Sequence, residues 1–424
     1  MLTRQPSAAA LSLGDGWATR SLGGEGDQDF DVSDGSLWKY VAANFTVQER
    51  KKMRITFHGV TSSVKEQFFE YLCNNWRGFT MHHADKVVHC VRQGVPDRCR
   101  GVIWQHMVDS KGRQLRFPGL YAKLKHFPSG NEKQIRRDLH RTFPGDPLFQ
   151  ERDGPGQQGL FNVLNAHASF DTRTGYMQGM AFVVGFLLRY VDEESAFWMF
   201  VSLMQDNLYN LRLLYGPGVG GFLMMMYQVD CLVEQYLPAI AQHLASSDPP
   251  FTANVYAPPF IPSLFIGRMP RESGARILDI FLSEGDSIIP RLFLGLLKFN
   301  EEQILSNGPE QILTTLNTSC ETIDMQQLLH LAFTFPVTHV MLENLEREYW
   351  EKLQAEKAAE RVAAAEAERQ AQAEAECEGQ RSSSFSTTSP TSVPTSVVRM
   401  SPTSRGSPLT FSPSSPSSRG SPRS

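Results

Sequence analysis

Between Gly94 and about Phe335, apolar side chains recur at spacings of three and four, and few runs alternate apolar with polar residues. A chain patterned at the period of the α-helix cannot turn one face of a sheet towards a core, so this stretch is confined to helix packed on helix. The segment Glu193 to Leu208 is representative. Ala196, Phe197, Phe200, Val201 and Met204 fall at helical spacing, and acids gather at its start, where the helix dipole favours them. Breaks are expected at Gly154 to Gly159, Gly216 to Gly221 and Asp248 to Pro259. The implied fold class is all-α, a multi-helical domain followed by a charged helix and a disordered tail.

Composition sets the limits of that domain. Residues 1–36 are rich in Gly, Ser and Asp with few large apolar groups, and read as a disordered leader. From Leu37 the character changes: Trp38, Tyr40, Val41, Phe57, Phe68, Phe69, Tyr71 and Leu72 suit one face of short helices. The helical domain is therefore drawn over 37–335. Residues 336–378 turn to strong helix formers with opposite charges three or four apart. Leu345, Tyr349, Trp350 and Leu353 suit docking on the domain, and beyond Leu353 the pattern allows a spacer helix or a weak coiled coil. Residues 379–424 are dominated by Ser, Pro and Thr, with Arg381, Arg399, Arg405, Arg419 and Arg423 but no acid, and read as a disordered tail. There Ser389, Ser401, Ser407, Ser412, Ser415 and Ser421 each precede proline, the pattern of a proline-directed kinase partner.

Charge and cysteine usage exclude several classes. A formal net charge of -4 gives no excess positive field, so no nucleic-acid partner is expected. The six cysteines, Cys73, Cys90, Cys99, Cys231, Cys320 and Cys377, form no CxxC pair and suit a reducing compartment. Met1 to Gly24 carry no secretory pattern, and the apolar run Met180 to Leu188 stops at Arg189, short of the ~20 residues a membrane span needs. The expectation is a cytoplasmic chain, associated with endomembranes only indirectly. His82, His83, His89 and Cys90 fit no standard metal spacing, and Gly216 to Gly221 lack the Lys and Ser/Thr of a P-loop, so neither a metal nor a bound cofactor of its own is expected.

Chemistry concentrates in two short stretches. In Gln134-Ile135-Arg136-Arg137-Asp138-Leu139-His140-Arg141-Thr142-Phe143-Pro144, Ile135 and Leu139 share one buried helix face. Asp138 lies three before Arg141, and Pro144 limits the helix, placing Arg141 near its end. Alone, such an arginine reads as a solvated charge or a partner of the helix dipole. In Thr174-Gly175-Tyr176-Met177-Gln178-Gly179-Met180, glycines flank a short turn leading into an apolar helix, and Gln178 alone reads as a bond to a free backbone amide.

A third stretch changes the weight of both. Gly94-Val95-Pro96-Asp97-Arg98-Cys99-Arg100-Gly101-Val102-Ile103-Trp104 precedes them, giving Arg-x-x-x-Trp, Ile-x-x-Asp-x-x-Arg and Tyr-x-Gln in that order. This order resembles the TBC domain of Rab GTPase-activating proteins. The likeness continues through Asp192 to Trp198 and Arg276 to Gly285, and so spans roughly Gly94 to Leu305. It departs at Phe260, where related domains commonly carry tryptophan, at Pro262, where they continue a helix, and at Met107 to Asp109 after the first motif.

The resemblance implies a GTPase-activating protein acting on a GTP-bound Rab-type small GTPase. Arg141 would be an arginine finger and Gln178 a glutamine finger supplied in trans. Asp138 would support Arg141 and Tyr176 would brace the Gln178 turn, while Arg100, Trp104 and Ile135 would belong to the scaffold behind them. GTP and Mg²⁺ would be carried by the partner, with no independent hydrolase activity. A second function class stays open, a catalytically inactive GTPase-binding or scaffold protein in membrane trafficking.

Overall fold

The computed structural model describes residues 41, 43–53, 61–216, 218 and 220–384. Among these no β-strand occurs, and helix succeeds helix along the chain. Eleven of these helices frame the site and its surroundings: α1 Thr61–Arg92, α2 Asp97–Met107, α3 Glu132–Leu139, α4 Pro155–Phe170, α5 Met180–Leu187, α6 Glu193–Gln205, α7 Gly220–Tyr236, α8 Arg271–Glu284, α9 Ile288–Phe299, α10 Met325–Phe333 and α11 His339–Ser384.

The sequence of α5 explains the centre of the first half. Its residues are apolar all round, so it has no face to give to water, and every residue except Phe182 is buried. α3 and α4 pack on it, and α6 lies on α4. α6 starts where Asp192 accepts from the Ser195 amide at 3.0 Å, with Glu193 and Glu194 in its first turn. α8 packs against both α1 and α2. In the second half α9 lies on α10, and a Cβ at Gly295 would meet the Ala332 backbone nitrogen at 3.0 Å, so glycine permits the close approach.

Two expectations need correction. Gly154 to Gly159 do not break the chain; they open α4. Pro155 takes the first helical position, where a missing N–H is harmless, and a Cβ at Gly156 would collide with the Leu148 carbonyl. Those glycines serve close packing. Asp248 to Pro259 likewise contains a helical turn, Ala253–Tyr256, held by Asp230, which accepts from the Ala253 amide at 2.7 Å. Of the expected Gly216 to Gly221 break, Gly216 precedes α7 while Gly220 and Gly221 are its first residues, and 217 and 219 lie outside the described residues.

The chain divides into two units, Met1–Glu356 and Lys357–Ser424. In the first, Val41, Phe68, Phe69 and Leu72 are buried as their pattern foretold, while Trp38, Tyr40 and Phe57 lie outside the described residues. The start of α11 docks there: Gln228 donates to the Leu342 carbonyl at 2.8 Å, Tyr349 lies 5.6 Å from Tyr227, and Trp350 covers Gly220. In the second unit helical backbone continues to Ser384, past the boundary drawn at 378, and every side chain from 357 to 374 is exposed. Gly379 does not end the helix, since an interior glycine costs only about 1 kcal/mol. The leader 1–36 and the tail from 385 onward, including the six Ser-Pro positions, lie outside the described residues.

Candidate functional site

α3 buries Ile135, Asp138 and Leu139 and leaves Arg136 and Arg137 exposed. The helix ends at Leu139, before Arg141 and well ahead of Pro144. What ends it is local. The Thr142 hydroxyl donates to the Asp138 carbonyl at 2.7 Å, and Phe143 takes a left-handed conformation with φ of 49°. Arg141 therefore stands in the turn beyond the helix.

Asp138 joins the two chemical stretches. Its Oδ1 accepts from Arg141 Nε at 3.0 Å and Nη2 at 2.7 Å, while its Oδ2 accepts from the Tyr176 hydroxyl at 2.6 Å. Burial, together with this carboxylate, pushes the Tyr176 phenol upward, so it stays a donor. The Arg141 side chain is 48% exposed and that of Asp138 only 8%, so a buried acid holds a cation that still faces solvent.

The turn carrying Gln178 is fixed on both sides. At its start Asp171 accepts from the Thr174 amide and hydroxyl, at 3.4 and 3.0 Å, and from Arg212 Nη2 at 2.9 Å. Gly175 has φ of 61° and lies against Asn131, the residue that opens α3. At its end Gly179 has φ of 111°, and a Cβ there would lie 2.5 Å from the Pro262 carbonyl oxygen. Both glycines meet conformations that other residues resist. Between them Gln178 is exposed.

Arg100 and Trp104 sit elsewhere, around Asp279 of α8. The Asp279 carboxylate accepts from Arg100 Nε at 3.2 Å, the Trp104 indole at 2.8 Å and the Val95 amide at 3.1 Å, and Asp97 takes Arg100 Nη1 at 2.7 Å. Asp279 escaped notice in the sequence. The signal for it was an acid between Ile277, Leu278, Ile280 and Phe281, all buried, because an acid on such a helix demands partners. Arg212 and Tyr215 carried no comparable signal.

The histidines and cysteine near residue 85 face different neighbours. His83 Nε2 lies 3.2 Å from Glu49, burial pushes His89 down to about 4, and Cys90 is fully buried. Among the described residues no group of three or more His, Cys, Asp or Glu side chains is arranged to hold a metal ion, and no helix is long and apolar enough to cross a membrane.

This helical scaffold has known counterparts. Residues 97–305 match the family model of the Rab-GTPase-TBC domain. The chain is 33% identical over 284 residues to the human Ecotropic viral integration site 5 protein homolog, covering 66% of this chain and 34% of that protein. It is 30% identical over 308 residues to Rab GTPase-activating protein tbc-11 of Caenorhabditis elegans, covering 68% of this chain and 32% of that protein. Among solved structures, the Chlamydomonas flagellar RabGAP TBC domain superposes with a TM-score of 0.53 at 25% identity, covering 68% of this chain and 96% of that one. The chain belongs to the TBC domain family of Rab GTPase-activating proteins. It spans about a third of the length of the curated relatives it matches.

Proposed function

We propose that this chain accelerates GTP hydrolysis by a GTP-bound Rab-type small GTPase, offering Arg141 and Gln178 to the partner's active site. The observation that supports this reading most is the position of Asp138, bonded through one oxygen to Arg141 and through the other to Tyr176, two residues before Gln178. The two segments are thereby tied together while Arg141 and Gln178 both remain exposed.

The chemistry asks for such a pair. Hydrolysis of GTP spreads negative charge over the transferred phosphoryl group and leaving oxygen, while water must be held in line for attack. Arginine supplies a permanent charge in a planar fork that can bridge phosphate oxygens. An amide accepts from water and donates to phosphate without competing for the proton. An arginine finger contributes a factor of about a thousand to a hundred thousand in rate. GTP and Mg²⁺ arrive with the partner, and the chain meets endomembranes through that partner.

The test is single-turnover hydrolysis by a panel of GTP-loaded Rab proteins, with wild-type chain and with Gln178→Ala. Acceleration of one or more Rabs is expected, including a Rab whose own catalytic glutamine is replaced, and loss of that acceleration in Gln178→Ala. Binding of a Rab without acceleration would establish the inactive, scaffold-type alternative instead.

A further inference from the structure

We infer that Arg212 and Tyr215 are positioning residues for Gln178, gripping both ends of its turn from a single turn of helix. The inference rests on the proposed role of Gln178. Arg212 belongs to the short helix Leu211–Leu214, which Tyr215 closes. Three residues apart, the two side chains are neighbours on one helical surface.

The first grip is ionic. Arg212 Nη2 lies 3.1 Å from Asp171 Oδ1 and 2.9 Å from Oδ2. Asp171 in turn holds Thr174 through its side chain, and its carbonyl accepts from the Gly175 amide at 2.8 Å. The arginine therefore fixes the acid around which the turn begins. With Arg212 38% and Asp171 11% exposed, removing the arginine takes the charged partner from a largely buried carboxylate.

The second grip is steric. Tyr215, fully buried, donates its hydroxyl to the Pro262 carbonyl at 2.6 Å. That same oxygen fills the space a Cβ would need at Gly179. Its position sets how far the backbone after Gln178 can move towards it. Lost hydroxyl, freed carbonyl, and a turn able to shift at its second end form one causal sequence.

Between the two grips, Gln178 reaches solvent with its main chain fixed before and after it. An amide that must orient a water is sensitive to its own placement, and a misplacement of about 1 Å can cost a hundredfold in rate. Scaffold contacts of this type are expected to appear in kcat and not in partner affinity.

The experiment uses the full chain and whichever Rab of the panel it accelerates, comparing Arg212→Met, Arg212→Lys and Tyr215→Phe in wild-type and Gln178→Ala backgrounds. Arg212→Met is expected to lower kcat about tenfold to a hundredfold, Tyr215→Phe less, with KM changed by less than about twofold. Arg212→Lys, which keeps a cation, should restore most of the rate. In the Gln178→Ala background both substitutions should cost less than about twofold, because residues acting through one group are not additive. Hydrogen exchange supplies a readout independent of activity, in which the Thr174 and Gly175 amides lose protection in Arg212→Met while α6 does not. Equal losses in both backgrounds, a rise in KM at unchanged kcat, or unaltered exchange would overturn the inference. If Gln178→Ala costs nothing, the functional reading falls and carries this inference with it; if Gln178→Ala costs rate and Arg212→Met does not, only the inference falls.

Discussion

Arg100 and Arg141 form the same kind of bond to a buried aspartate, yet the two pairs differ in where the cation goes. The Arg100 side chain is 10% exposed over an Asp279 that is fully buried, whereas Arg141 is 48% exposed over an Asp138 at 8%. Asp279 is also saturated from within by the Trp104 indole and the Val95 amide. Among the described residues the Asp138 carboxylate takes only the Tyr176 hydroxyl besides Arg141, and Arg141 Nη1 donates no hydrogen bond. The acid is comparable in both. The enclosed cation helps tie α8 to the stretch 95–104, while the half-open one is held by its acid and still faces solvent.

That contrast can be broken most sharply at Arg141. Arg141→Lys should cost about a thousandfold or more in the acceleration of GTP hydrolysis, ~4 kcal/mol or more of barrier, with the melting temperature nearly unchanged. A half-exposed pair contributes little to stability, so a large loss of melting temperature would contradict the assignment. Arg100→Met should reverse the pattern. It strands a buried carboxylate, so urea denaturation should reveal a loss of about 3 to 5 kcal/mol, and any surviving folded protein should retain its catalytic rate. A third variant lies between them: Tyr176→Phe removes the donor to Asp138 Oδ2 and should cost about 1.5 to 3 kcal/mol in unfolding experiments, together with a measurable fall in kcat.

The smallest effect concerns a third acid whose partner can titrate. His339 Nδ1 lies 2.8 Å from Asp286 Oδ1 where α11 begins, and that hydrogen bond raises its pKa. Because the folded pKa is raised, the stabilisation is fully present below the unfolded histidine value near 6.5 and is lost as pH rises through the folded value. Thermal melts from pH 6 to 9 should show a modest decline that His339→Gln flattens. The Arg100 guanidinium, its pKa raised further beside Asp279, stays charged throughout, so the Arg100–Asp279 pair should show no corresponding step.

The helical class was legible because the apolar period runs through nearly every segment, and α5 could be recognised as buried from its lack of any polar face. The joining of Arg141 to Tyr176 was accessible only in outline, since the motifs place Asp138 beside Arg141 but do not show that its second oxygen takes the Tyr176 hydroxyl. Other features depend on distant partners. Asp279 meets Arg100 and Trp104 across a large separation in sequence, and nothing near Pro262 announces that its carbonyl abuts Gly179. Local rules also misled where tertiary packing overrode them. Gly156 looked like a breaker but admits the Leu148 carbonyl, and Pro144 looked like the stop for α3 although Thr142 and Phe143 had already turned the chain.

The contact between Gly179 and Pro262 bears on protein engineering. A turn whose last residue must be glycine, and must meet a carbonyl from a remote segment, is not a portable cassette. Copying residues 174–179 onto another helical bundle would transfer the letters without the mould. A functional graft would have to bring the Leu211–Tyr215 turn and the Ile261–Ser263 helix with it, making the smallest transplantable piece a discontinuous one.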